Sequence, residues 1–439
     1  MKKTLESEKV FFADRYKAVL FVALIICCFS EPIRQVTKVP VAHLGNAIIF
    51  VMFAVLFFKG EVKKLDDKEV RLFVITGIAF LLFGTFSAIM FGLKPVLYLR
   101  SIRSYLRFWI LMLDCFLVFD KRDVPFFYMV LDLVALIHSI LILIQFLVFG
   151  INWDYLNGIF GTMMGGNSGV NVLLAINTCV CFYRFYKREI RFPILYLHVF
   201  WMCYNAALSE LKFYLIELAT ILVIYLVVTR EFVRWFKVIP GILMIMFTSV
   251  LVMYTLYPWF DSFYSQLFTD FAMSIDDPHH MDDLSLSRLK QITGLTRPLI
   301  DYTRSIRPSL EGICLFTGIG LGNGELSLNG MFISEFYNLY NYLWYWDFIL
   351  SMVFIETGII GLFLFNMVWV IVPTRAFIRF LKTKDAGDFL KIMMSVMVLF
   401  IIIYDISMRN NYGYMLWAFI GIVYAVHNKK EATAQQLMA

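Results

Sequence analysis

The sequence predicts an all-α polytopic membrane protein of about twelve transmembrane helices, with one large loop inserted between the ninth and the tenth. Three observations carry this. The chain is 60% hydrophobic and only 16% charged over 439 residues, and its mean hydropathy of +0.74 lies far above that of soluble domains. Apolar runs of about 17 residues or more recur along it, each long enough for a helix to cross a bilayer. One long segment, 257–343, breaks the apolar pattern. The alternating ten-residue segments of a β-barrel do not occur.

The spans fall near 18–33, 40–58, 72–93, 106–119, 125–149, 168–184, 193–208, 212–229, 238–256, 344–372, 391–407 and 411–427. The opening MKKTLESEKVFFADRYK is too polar and too long for a cleavable leader. The first run ends in Cys27-Cys28-Phe29-Ser30 without a small-x-small site, so it is expected to remain as a helix. The fourth span is short and the tenth long, and tilt or a break is expected in each. Six of the seven cysteines sit in spans and Cys314 in the loop, which gives no disulfide framework and no paired zinc pattern. Their expected work is packing. The chain reads as one integral membrane domain, 1–439, with 257–343 as its extracytoplasmic loop.

Lysine and arginine bias sets the orientation. With the N-terminus inside, one side receives the basic tail, EVKKLDDKEVR, DKRD, RFYKREIR, REFVRWFK, RAFIRFLKTKDAGDFLK and HNKK, together 26 of the 39 basic residues once Lys59 is included. Both termini are then cytoplasmic and the loop faces outward. The net charge of +6 fits basic connectors and makes no case for nucleic acid.

Charges on the depleted side need a reason. Arg100, Arg103 and Arg107 fall at i, i+3 and i+7, one face of a helix. They read either as a snorkelling interfacial stripe or as a stripe for phosphates, which suit the guanidinium fork. Their position on the depleted side favours phosphates. GIFGTMMGGNSGVNVLL, 158–174, opens the sixth span, where Gly165 and Gly169 serve close approach of a ligand or of another helix. The turn SELKFYLIEL sets Glu210 and Lys212 at the membrane surface and Glu217 deeper, where ionisable groups are costly. Glu210 and Lys212 at i, i+2 would not face each other on a helix.

Inside the loop, PWFDSFYSQLFTDFAM has helical spacing with aromatic weight, as for a helix lying in the interface. Asp282 or Asp283 can cap SLSRLKQITGL. Four arginines, Arg288, Arg297, Arg304 and Arg307, follow. His279-His280 lacks a partner ligand set. GIGLGNG does not sit in a strand-turn-helix context and reads as a flexible turn near the site. The tenth span opens with NYLWYWDF, whose Trp and Tyr suit the interface. Asp347 lies among them, and Glu356 is about 13 Å deeper if the segment is helical. Asp405 and Arg409, at i, i+4, can pair with each other.

Three of these features, GTMMGGNSGVNVLL, the SELK turn, and the loop with SRLKQ and GIGLGNG before FIETGIIGL, together resemble the O-antigen polymerase and ligase superfamily (Wzy-type polymerases, WaaL-type ligases). The resemblance covers roughly 158–365. It implies a membrane glycosyltransferase with a GT-C-like fold in a bacterial cytoplasmic membrane, acting on its outer face on polyprenyl-pyrophosphate-linked glycans. By position, Lys212 stands where the family often has arginine, Arg288 matches the loop arginine, and Glu356 matches the acid of the E-x-G-x-x-G segment. Ligases carry a histidine–asparagine pair where this chain has Asp347-Phe348, nine residues before Glu356, with Tyr340-Asn341 earlier. That departure favours the polymerases.

The expected reaction transfers a glycan from polyprenyl pyrophosphate to a sugar hydroxyl of a second lipid-linked unit. Cations must neutralise the leaving group: Arg288 first, then Arg100, Arg103, Arg304, Arg307 and Lys212. A carboxylate must take the hydroxyl proton: Glu210 or Asp347, with Glu356 orienting an arginine. Tyr340, Asn341, Trp344 and Trp346 are the glycan contacts. The scheme requires no metal or cofactor, and its partners are the bilayer, the two lipid-linked glycans, a flippase and a chain-length regulator. Ligation to a lipid or protein acceptor is the alternative within the class. A lipid-linked oligosaccharide flippase is the alternative outside it, although the sequence shows no duplicated half. The outward charges together suggest a composite site, with the loop as lid and the span ends as floor.

Overall fold

The computed structural model describes residues 11–12, 14–65, 67–152, 155–163, 165–229, 232–256, 290–325 and 333–428. Every regular element among them is helical: α1 (Arg15–Cys28), α2 (Ser30–Thr37), α3 (Ala42–Phe58), α4 (Lys68–Phe91), α5 (Pro95–Val118), α6 (Val124–Leu147), α7 (Asn167–Tyr186), α8 (Phe192–Leu208), α9 (Lys212–Thr229), α10 (Phe232–Leu256), α11 (Thr293–Ile306), α12 (Cys314–Thr317), α13 (Glu335–Tyr340), α14 (Ile349–Thr383), α15 (Ala386–Tyr404) and α16 (Gly413–Asn428). A helix stands at each of the twelve expected spans. Seven are long and apolar enough to cross a membrane by themselves, or eight if α1 and α2, bent by 61°, form one span. The chain is therefore an all-α protein with the helices of a membrane protein.

The helix at the fourth expected span is longer than its apolar run, because a charged half precedes that run. Pro95, whose fixed φ suits the first turn of a helix, starts α5, and the arginine stripe lies within its 24 residues. Elsewhere the ends follow local rules. The Asp67 carboxylate accepts from the Glu69 and Val70 amides and caps α4. Asp385 caps α15 through the Asp388 amide. Lys384, at φ +55, turns the chain between α14 and α15.

The contacts divide the chain into two compact units, Met1–Ile137 with Ser287–Ala439, and His138–Leu286. In the first unit α5 packs along α16, and α14 packs against both α4 and α15. The Cβ position of Gly421 on α16 lies 2.5 Å from the Met112 carbonyl oxygen of α5, a backbone approach only glycine permits. Trp369, Phe73, Tyr424 and Trp417 interlock by edge contacts at 5.1–5.8 Å.

Two polar clusters mark opposite ends of α14. At its C-terminal end Arg379 and Lys391 share the Glu69 carboxylate, at 2.5 and 3.0 Å, and Arg379 also grips Asp388. Toward its other end lies Glu356, 23 residues away, or roughly 35 Å of helix, a little more than one hydrocarbon thickness.

The second unit is built around α7, most of whose residues are buried. Its interior polar groups are paired locally: Asn171 donates to Glu217 at 3.0 Å, Thr178 meets Tyr214 at 2.8 Å, and Asn205 donates to Ser139. In the 158–174 segment the packing reading applies to Gly158 and Gly166, whose Cβ positions would strike His138 and Asn157. Gly165, at φ +83, faces open space and serves the turn itself.

Candidate functional site

The expected break in the long span lies at Gly358, whose φ of +60 and ψ of −162 interrupt α14. A Cβ there would lie 2.4 Å from the Phe316 carbonyl, so the neighbouring chain passes where a side chain would stand. The interruption frees carbonyls that an intact helix would use. Ile355 O accepts instead from the Ile319 amide at 2.8 Å, and Glu356 O from the Gly320 amide at 3.0 Å. GIGLGNG is thus a buried, hydrogen-bonded insert, a correction to the flexible turn expected of it. Its glycines supply close approach and left-handed φ: the Cβ position of Gly320 lies 2.2 Å from Ala88 Cα on α4, and that of Gly322 lies 2.5 Å from the Leu97 carbonyl carbon on α5.

This insert completes the surroundings of Glu356, which is fully buried. Its Oε1 accepts from Ser101 Oγ and from the Gly322 amide, both at 2.8 Å. Its Oε2 accepts from Tyr105 O–H at 2.9 Å and lies 3.6 Å from Arg409 Nη2. Arg409, from the α15–α16 connector, lies over the Tyr105 ring at 4.6 Å and donates to Glu325, the residue directly after the glycine segment. Arg100 reaches the other oxygen of Glu325 at 3.4 Å.

Two further arginines of α5 adjoin the cluster. Arg107 is buried and donates only to neutral acceptors, Tyr414 O–H at 3.0 Å and the Arg409 carbonyl at 2.6 Å. Among the described residues no carboxylate reaches it. Arg103 is exposed and meets His43 Nδ1 at 3.5 Å. The Nε atoms of Arg107 and Arg409 are buried with no hydrogen-bond acceptor among the described residues. Among the described residues four guanidiniums therefore stand near two carboxylates, Arg107 and Arg409 buried, Arg100 one-third exposed and Arg103 exposed. Uncompensated buried cations are expensive, and guanidiniums are donors only.

The structure brings together only some of the residues singled out from the sequence. Arg100 and Glu356 are in the cluster, and Arg103 is at its edge. Arg288, His279 and His280 lie outside the described residues, as does the 258–273 aromatic segment. Arg304 is exposed and held by Glu311 at 2.6 and 3.0 Å and by Asp301 at 3.6 Å; its guanidinium keeps the Glu311 carboxyl below the usual range. Arg307 is exposed on the turn after α11, beside Gly92.

Glu210 and Lys212 belong to the other unit and pair with each other at 2.9 Å. This corrects the expectation that they would not meet. Glu210 takes φ +55 in the turn before α9, so helical spacing does not apply between them. Asp405 likewise does not hold Arg409; its carboxylate accepts from the Ser407 amide, while Arg409 turns to Glu325 and Glu356.

The aromatic segment is partly open. Trp344 and Trp346 stack at 5.9 Å, Tyr337 packs on Trp346 at 4.9 Å, and Trp344 is half exposed. Tyr340 packs on Phe336, and Asn341 and Asp347 are exposed beside them. Buried Tyr345 ties this segment to the glycine insert by donating to the Gly324 carbonyl at 3.0 Å.

Sequence reasoning missed Arg409, Glu325, Ser101 and Tyr105. Arg409 did carry a signal, an arginine on the depleted side, but its i, i+4 carboxylate explained it away. No protein-family model matches this chain, and no curated protein matches it.

Proposed function

We propose that this protein polymerises oligosaccharide units carried on polyprenyl pyrophosphate, working with about twelve spans and a GT-C-like arrangement at the outer face of a bacterial cytoplasmic membrane. The observation that carries the reading is the cation excess of the Arg100–Arg103–Arg107–Arg409 cluster over Glu325 and Glu356. In the proposed reaction the acceptor hydroxyl oxygen forms a bond to the anomeric carbon of the donor. The bond from that carbon to the pyrophosphate oxygen breaks, and its electron pair leaves on the pyrophosphate. The guanidiniums stabilise that growing charge in a site with little water. The hydroxyl proton passes to a carboxylate, for which Asp347 is the candidate in this unit. Glu356, with both oxygens engaged, orients Arg409 and Tyr105 and is not the base. The exposed Trp344–Trp346 pair offers faces for sugar rings.

The test is Arg409→Lys in a host lacking its own copy of the chain. Lysine keeps the charge but is shorter and lacks the planar guanidinium whose Nη2 donates to both Glu325 and Ser101. Polymer should fall by about tenfold or more, the cost of one lost stabilising contact, with single lipid-linked units accumulating. Full-length polymer from correctly inserted Arg409→Lys protein refutes the assignment. Product joined only to a non-polyprenyl acceptor indicates ligation instead.

A further inference from the structure

The two carboxylates of the cluster are held in different ways. Glu356 is fixed by a hydroxyl, a phenol and an amide, and is fully buried. Glu325 has no such frame among the described residues: there its carboxylate is held by Arg100 and Arg409, one guanidinium on each oxygen. The Arg100 contact is long, 3.4 Å, and the Arg100 side chain is one-third exposed, while the Glu325 side chain itself is buried. A carboxylate gripped by two arginines through its two oxygens occupies the place a phosphate would take.

We infer that the Glu325 carboxylate stands at the binding position of one substrate phosphate, between Arg100 and Arg409, and is displaced when a diphosphate binds. The inference deepens the pyrophosphate reading of the site and rests on it. Charge supports the exchange. With Glu325 withdrawn, four guanidiniums face one carboxylate, an excess of three. A diphosphate diester carries one negative charge on each phosphate and gains another as the sugar–phosphate bond breaks, so the cluster matches the leaving group more closely than the bound substrate. That is the pattern of transition-state complementarity. While the site is empty, Glu325 lowers the desolvation cost of leaving Arg100 and Arg409 unpaired.

The experiment measures binding of inorganic pyrophosphate to the purified full-length protein in detergent by calorimetry. Where a ligand must displace an internal competitor, its apparent affinity is reduced by the fraction of sites already open. Glu325→Gln should therefore bind pyrophosphate about tenfold more tightly than wild type, and Glu325→Asp, whose carboxylate is drawn back by one methylene, should tighten it less. Glu335→Gln removes a charge from the exposed Lys94 pair and should leave affinity unchanged. Unchanged or weaker binding in both Glu325 variants, with thermal midpoints near that of wild type, overturns the inference. So does equal tightening by Glu335→Gln, which would reduce the effect to overall charge. Equal tightening toward micellar phosphatidylglycerol would assign the position to lipid monophosphates and overturn its assignment to a diphosphate. The polymerase reading fails separately: tightened pyrophosphate binding in a chain that makes no polymer keeps the anion position and rejects the reaction.

Discussion

Glu356→Gln tests most directly whether the site is built as described. The substitution preserves shape and removes the charge. Three donors, Ser101 Oγ, Tyr105 O–H and the Gly322 amide, approach the carboxylate at 2.8–2.9 Å, and Arg409 stands 3.6 Å away. Hydrogen bonds to a charged partner contribute about 1.5–3 kcal/mol, against about 0.5–1.5 kcal/mol for neutral ones. Each of the three then weakens by about 1 kcal/mol, and one is opposed outright because the amide nitrogen cannot accept. The expected loss is about 3 kcal/mol, which lowers the thermal midpoint by about 3 °C for a chain of this length, read by tryptophan fluorescence in detergent. Glu356→Gln combined with Arg409→Met should recover at least about 1 kcal/mol, since both ends of the charge contact are then gone. A Glu356→Gln protein as stable as wild type, or a double variant whose losses simply add, refutes the claim that this carboxylate is the fixed centre of the cluster.

Two further predictions follow from the same geometry. Gly322→Ala places a Cβ 2.5 Å from the Leu97 carbonyl carbon at φ +89, so it should cost more than about 2 kcal/mol and abolish polymer formation. Gly60→Ala, at φ +75 but facing open space, should cost no more than about 1 kcal/mol of backbone strain and leave polymer unchanged; thermal melts of the pair separate collision from strain. Arg304→Ala should leave both polymer and thermal midpoint unchanged, because its contacts to Glu311 and Asp301 are on the surface. In that variant the Glu311 titration should move back up into the ordinary carboxylate range, followed by carbon NMR of labelled glutamate. The sign follows from Arg304 holding that carboxyl low: the contact is present above the usual carboxylate range and lost as pH falls through the lowered value.

The positions of the helices were legible because apolar runs of bilayer length leave little else for the chain to do. The break in α14 was legible too, since a run that long must tilt or interrupt. Arg100 and Glu356 stood out as charges placed where the membrane makes them costly. What could not be read was who holds whom. Ser101 and Tyr105 meet Glu356 across about 250 residues of chain, and nothing local in SIRSYLRF marks them as its donors. Local arithmetic misled at two places for the same reason. Asp405 and Arg409 have helical spacing but no helix between them, because α15 ends at Tyr404. Glu210 and Lys212 lack that spacing, yet a left-handed turn joins them. In both cases the backbone between the two residues decided the pairing, and side-chain periodicity carries no information about an irregular turn.

The break in α14 also bears on the flippase alternative. Irregular backbone at membrane depth is tolerated only where protein covers it or a cavity borders it. Here the glycine insert covers it, returning hydrogen bonds to Ile355 O and Glu356 O. Transporters built on internal repeats use interrupted helices as well, but characteristically in pairs at corresponding positions of two repeated halves. Among the described helices α14 is the one with a non-helical residue inside it. Its interruption presents a fixed carboxylate and a set of guanidiniums at one end of the helix, about a hydrocarbon thickness from the Glu69–Lys391 cluster. A carrier must present its site alternately to both sides and places it near the bilayer midplane. A single interrupted helix among the described ones, sealed by the glycine insert that Tyr345 ties to the aromatic segment, favours the proposed enzyme over a carrier built on paired repeats.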